Sequence, residues 1–127
     1  MGRTNRDTGD LGEKIAEKFL VSRGYKILSR NFPTPFGEID LIAKKNGCTV
    51  FLEIKTRISE KFGPPASAVT RAKQKHIIKN CQYYLKGYGL NDAPCRIDVI
   101  GICLDPRGKV KILRHIKNAV ELHGHFY

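Results

Sequence analysis

Residues 37–57, GEIDLIAKKNGCTVFLEIKTR, place two carboxylates and an ammonium, Asp40, Glu53 and Lys55, among neighbours that alternate as strand residues do. Charges inside strands need a reason, and Asn46-Gly47 between them is the strongest short hairpin signal a sequence carries. A two-residue turn there predicts that Lys45 pairs with Cys48 and so on outward to Leu41 with Leu52. Beyond it, Asp40 should face Glu53, Ile39 should face Ile54 and Glu38 should face Lys55. Alternation then puts Ile39, Leu41, Ala43, Val50, Leu52 and Ile54 on one face, with Glu38, Asp40, Ile42, Phe51, Glu53 and Lys55 on the other.

Like charges directly opposite across an antiparallel pair are destabilising, so Asp40 against Glu53 calls for a cation. Lys55 supplies part of that charge and a divalent metal would supply the rest. Hard oxygen ligands in small number, with no His or Cys beside them, point to Mg²⁺ or Mn²⁺ completed by water and a substrate phosphate. That is the chemistry of phosphodiester hydrolysis, in which a metal acidifies its bound water and a nearby lysine positions or deprotonates it. The competing reading is a half-exposed sheet face with weak Glu38–Lys55 and Glu53–Lys55 ion pairs. A bulge in the hairpin would change which carboxylates meet.

The elements that must position these groups follow from periodicity and punctuation. A helix is predicted from Asp10 to Arg23, ended by Gly24, with Leu11, Ile15, Ala16, Phe19 and Leu20 as its apolar stripe and Asp10 with Glu13 as a capping-box variant. A short strand, YKILSRNF, is expected to stop at Pro33 and Pro35. After the hairpin, a Gly/Pro loop, SEKFGPPAS, releases a second helix over 66–86 with Val69, Ile77, Cys81, Tyr84 and Leu85 on one side. Two more strands, RIDVIGICL and KVKILRHI, flank a turn at Asp105–Gly108, and a short helical turn is expected over Asn118–Leu122. The order helix, three strands, helix, two strands implies an α/β sandwich with a mixed central sheet.

The 127 residues suit a single domain, with the first nine and the last five residues expected to be flexible. Lys and Arg number 23 against 12 Asp and Glu, a net charge of +11 that points to a polyanionic partner, nucleic acid before an anionic membrane surface. Many basic proteins have only a solvated basic surface. The start of the chain has no apolar core of a signal peptide and no run of 18 apolar residues occurs, so a cytoplasmic protein is expected. Cys48, Cys81, Cys95 and Cys103 show no metal-ligand spacing and read as reduced thiols. His76, His115, His123 and His125 likewise form no ligand pattern. Asp98, inside a strand, is expected to pair with Arg96, and Tyr84 is expected in the core although Tyr83, Tyr84 and Tyr88 are candidates to stack on bases.

Asp40, twelve residues, then Glu53-Ile54-Lys55 resembles the PD-(D/E)xK superfamily of metal-dependent nucleases. GEKIAEKFL, GYKILSRNF, GEIDLIA, VFLEIKTR and CRIDVI, in that order, resemble the uncharacterised YraN family, which is similar to the archaeal Holliday-junction resolvases. The resemblance implies a restriction-endonuclease-like α/β/α core. In it Asp40 and Glu53 bind Mg²⁺ or Mn²⁺, Lys55 assists the water, and Glu13 on the first helix completes the site. It further implies supporting or DNA-binding roles for Arg57, Lys73 and Gln74. Glu38 is additional, with metal binding, Lys55 pairing or Arg57 pairing open to it. Ile39 stands where many members have proline. A nuclease acting on DNA, structure-selective and a homodimer in the manner of a resolvase, is the first expectation. A non-catalytic nucleic-acid-binding module on the same scaffold is the second.

Overall fold

A computed structural model describes residues 5–58 and 70–121. The elements run α1 (Asn5–Ser22), β1 (Lys26–Thr34), β2 (Gly37–Lys45), β3 (Cys48–Ile58), α2 (Arg71–Gly87), β4 (Cys95–Leu104) and β5 (Val110–Val120). The five strands form one sheet in the order β1-β2-β3-β4-β5. β3 and β4 are parallel, joined through α2, and every other neighbouring pair is antiparallel. The expected mixed sheet and element order are therefore present.

The helices cover opposite faces of that sheet. Ala16 and Leu20 of α1 pack with Leu41, Ala43, Val50, Leu52, Ile54, Ile100 and Ile102. Ile77, Ile78, Cys81, Tyr84 and Leu85 of α2 pack with Ile39, Ile42, Phe51 and Ile97. Both faces of the β2–β3 hairpin are thus buried near its turn, as the strands beside a parallel pair require. Asn46 and Gly47 hold φ of 51° and 78°, the left-handed pair of a two-residue hairpin.

Four boundaries differ from expectation. The first helix begins at Asn5 and not Asp10, so part of the segment expected to be flexible is helical and Asp10 caps nothing. It ends as predicted at Gly24, where the Gly24 and Tyr25 amides return to Val21 and Leu20 carbonyls at 3.0 Å each, a Schellman closure. β1 runs through Pro33, because β1 is an edge strand and the missing donor faces no neighbour. α2 begins at Arg71, fixed by Thr70, whose hydroxyl accepts the Lys73 amide at 3.2 Å. Asn118 to Val120 continue β5 instead of turning into helix, with Asn118 at φ 52° in a bulge. The Gly/Pro loop, Ala66 to Val69, Leu122, His123 and His125 lie outside the described residues.

Candidate functional site

The hairpin ladder holds the predicted register from Lys45–Cys48 to Leu41–Leu52 and ends there. Instead of facing Glu53 squarely, Asp40 turns its carboxylate into the gap, where Oδ2 accepts the Ile54 amide at 2.8 Å. The side chain takes the bond that the next ladder rung would have made, which satisfies a buried donor and spares two like charges a direct cross-strand pairing. The change of path also corrects the assignment of Ile39, which packs with Ile42 and Phe51 on the α2 face and not with Leu41 and Ala43.

Asp40 and Glu53 still meet. Their carboxyl groups are hydrogen-bond neighbours, and burial, followed by the charge of Glu53, pushes the Asp40 carboxyl up to about 8 against the opposing pull of the Ile54 amide and Lys55. Lys55 Nζ lies 3.6 Å from Glu53 Oε1, the predicted ion pair. A buried carboxyl with a raised pKa, beside a second carboxyl and a lysine, forms a site in which a divalent cation can replace the Asp40 proton.

Glu13 approaches from α1. Gly12 makes this possible, since a Cβ at that position would stand 1.8 Å from Thr56 Oγ1, so only glycine lets the helix come this close to β3. Arg30 clamps the same helix to β1, its Nε and Nη2 donating to the two carboxylate oxygens of Glu17. Asn31, at φ 47° in β1, then donates its amide to Glu13 at 3.1 Å and to Glu38 at 3.4 Å. Burial raises the Glu13 carboxyl while the Asn31 amide lowers it, and Asp40 and Glu38 add to the rise. Glu38 therefore engages Asn31, the partner that sequence reasoning missed. Among the described residues no three His, Cys, Asp or Glu side chains stand together as a ready-made metal cluster. Glu13 feels the charge of Asp40 and lines a cleft of about 360 Å³ with Asn31, Arg30 and Leu41, while Glu53 lines a different one.

On the other face a cleft of about 200 Å³ between β3 and α2 is lined by Glu53, Lys55, Lys73, His76, Ile77 and Asn80. Lys73 thus shares the cleft of the Glu53–Lys55 pair, whereas Gln74 borders a different one with Arg71 and Lys75. Arg57 is exposed on β3 two residues beyond Lys55. Asn80, 7% exposed, donates to the Glu38 carbonyl at 3.3 Å and accepts from the Thr34 hydroxyl, locking α2 to the β1–β2 turn. A polar residue within the apolar stripe of a helix, between Ile77 and Cys81, was the signal for it.

The Asp98–Arg96 pair is present at 3.0 Å, and it belongs to a larger network on the α1 face. Asp98, wholly buried, also accepts from the Asn118 amide at 2.9 Å and meets His115 Nε2 at 2.7 Å, while Arg96 donates to the Tyr25 hydroxyl at 2.6 Å. His115 stands edge-on to Phe19 and Tyr25 with its side chain largely buried. Cys81 and Cys103 are buried, and the four cysteines are thiols outside any disulfide. Among the described residues no helix is long and apolar enough to cross a membrane.

Comparison with known proteins finds the profile of an uncharacterised protein family, UPF0102, matching residues 12–102. A UPF0102 protein of Trichlorobacter lovleyi is 42% identical over 123 residues, 96% of each chain. Another, of Clostridioides difficile, is 43% identical over 115 residues, 91% of this chain and 97% of its own. Among solved structures, Pyrococcus furiosus SfsA in complex with Ca²⁺ is similar with a TM-score of 0.42 and 19% identity, covering 91% of this chain and 64% of its own. The structure of an EndoMS–dsDNA2 complex is similar with a TM-score of 0.36 and 18% identity, over 74% of this chain and 35% of that one.

Proposed function

The chain belongs to the UPF0102 (YraN) family, and on that premise we propose that it is a metal-dependent nuclease that hydrolyses phosphodiester bonds in DNA, selecting substrates by structure. The observation that carries the reading is the Asp40–Glu53 carboxyl pair, with Asp40 raised to about 8, inside a protein of net charge +11. A surface built only to hold phosphates gains nothing from two carboxylates, which repel phosphate unless a cation lies between.

The donor set fits Mg²⁺ or Mn²⁺, which are held by one or two carboxylates and otherwise by waters and substrate phosphates. Asp40 and Glu53 would hold the ion, with Glu13 acting on it through water from the α1 side. When bound, the ion supplies positive charge opposite the phosphate and lowers the pKa of a coordinated water. Everything else falls to the chain. Asp40 gives up its proton as the site is loaded, and the Ile54 amide keeps its carboxylate oriented. Lys55, held by Glu53, points an ammonium at the cleft where the attacking water and the scissile phosphate meet. Lys73 draws the neighbouring phosphate into the same cleft. In this reading Arg57 and Gln74 bind the DNA backbone to either side, and Glu38 steadies Asn31.

The test is cleavage of labelled duplex, single-stranded, flap and four-way-junction DNA in Mg²⁺ or Mn²⁺. The wild type should cut at least one of them. Asp40→Ala and Glu53→Ala should lose about 10³-fold or more, and Lys55→Ala about 10²-fold. A wild type that binds these DNAs as its variants do, and cuts none of them in either metal, overturns the nuclease reading in favour of a binding module.

A further inference from the structure

α2 carries no acidic residue; helical spacing puts Arg71, Lys75, Lys79 and Lys86 in one basic strip on its outer face, and Lys73 lies on the flank that lines the Glu53–Lys55 cleft. Beside that strip stands an aromatic ring that packing does not explain. Phe36, at the tip of the β1–β2 turn, leaves 47% of its surface in water, and Lys79 Nζ lies 5.6 Å from its centroid. The turn that carries the ring is nevertheless fixed through its backbone. The Phe36 amide donates to Thr34 Oγ1 at 3.0 Å, Thr34 bonds Asn80, and Asn80 lines the cleft that holds Glu53 and Lys55.

An exposed aromatic ring on a fixed turn, with a lysine over one face and the other face open, at the margin of a basic strip, is the chemistry that receives a nucleobase face and its phosphate. An intact duplex has no free base face to offer, because its bases are stacked on one another. We propose that Phe36 and Lys79 bind an unpaired nucleotide next to the phosphate that is cut, so that the substrate class is DNA with single-stranded character at the site: a free strand, a flap or the opened arm of a branch. This rests on the nuclease reading and narrows its substrate. Phe36 takes the base, Lys79 the phosphate beside it, and Lys73 the phosphate that enters the cleft.

The experiment is fluorescence anisotropy in EDTA, with three labelled probes of equal length: a thymidine strand, an abasic strand of the same charge, and a blunt duplex. The wild type should bind the thymidine strand about tenfold more tightly than the abasic strand and more tightly than the duplex. Phe36→Ala should bind thymidine and abasic strands alike, while Phe36→Tyr keeps the preference. Lys79→Gln should weaken all three probes and flatten the salt dependence by about one ion. Equal wild-type affinity for base-bearing and abasic strands, or a preference that survives Phe36→Ala, overturns the proposal. Neither metal nor cleavage enters this measurement, so an inactive protein can pass it and an active nuclease can fail it.

Discussion

The Asp40 carboxylate takes the place of a rung of the β-ladder, accepting the Ile54 amide at 2.8 Å at the point where β2 and β3 cease to pair. This one bond sets Asp40 against Glu53 and keeps it there whether it is charged or neutral. Removing the acceptor and removing the charge are therefore separable. Asp40→Asn retains an oxygen for Ile54 and discharges the pair, and should leave the metal-free protein as stable as wild type or more so. Asp40→Ala orphans the amide and should cost about 1–3 kcal/mol in urea denaturation. Mg²⁺ at a hundredfold excess over its Kd should add about 2.7 kcal/mol to the wild type and nothing to either variant. Equal metal stabilisation of Asp40→Asn and wild type would place the ion elsewhere.

Acidity should act on this pair with a definite sign. Burial and Glu53 raise the Asp40 carboxyl to about 8 from an ordinary value of 3.8, so between those values the folded state holds a proton that the unfolded chain has released. Without metal, the contribution of Asp40 to stability is greatest in acid and declines as pH rises toward 8. Metal affinity runs the other way, because the ion must displace that proton. Titrating Mn²⁺ by calorimetry at pH 6.5 and 8.5 should show tighter binding at the higher pH. The difference in stability between wild type and Asp40→Asn should widen over the same interval in favour of the variant.

Gly12 is a spacing residue. A methyl at this position would meet Thr56 Oγ1 at 1.8 Å and Thr56 Cβ at 2.7 Å, so Gly12→Ala must lift α1 from β3. A cost of about 1–3 kcal/mol is expected. Trimming the partner should give only partial rescue in the Gly12→Ala/Thr56→Ala double variant, since the Thr56 Cβ remains in the way. The lift would carry Glu13 off Asn31, so metal affinity should fall along with the thermal midpoint.

The buried network around Asp98 should behave as structure alone. Asp98→Ala strands the Arg96 guanidinium and the Asn118 amide together, with an expected cost of about 3–5 kcal/mol. Asp98→Asn should cost less, because it still accepts two of those donors. Metal binding by the folded fraction of Asp98→Asn should match wild type, measured by Mn²⁺ calorimetry at low temperature. A large loss of metal affinity would tie this network to the site.

Chemistry and periodicity along the chain determined a good deal. Asn46-Gly47 is a local signal for a turn that needs left-handed φ twice, and its register follows by counting, correctly as far as Leu41–Leu52. The apolar stripes of both helices, the mixed sheet and the meeting of Asp40 with Glu53 and Lys55 follow from side-chain alternation, because the periods of helix and strand are properties of the backbone itself.

What tertiary structure alone decided is where that regularity breaks. The ladder opens after Leu41 because Asp40 competes for a main-chain donor. Asn31 takes a left-handed conformation in a different strand, and its amide joins Glu13 and Glu38 from elements far apart in the chain. Asn80 holds the β1–β2 turn, and with it Phe36, against the cleft, and Asp98 gathers Arg96, His115 and Asn118 from two strands. These are pairings between polar groups whose partners are chosen by burial and proximity after the sheet has formed. Periodicity records which side of an element a residue faces, and carries nothing about which distant amide or carboxylate will be waiting there.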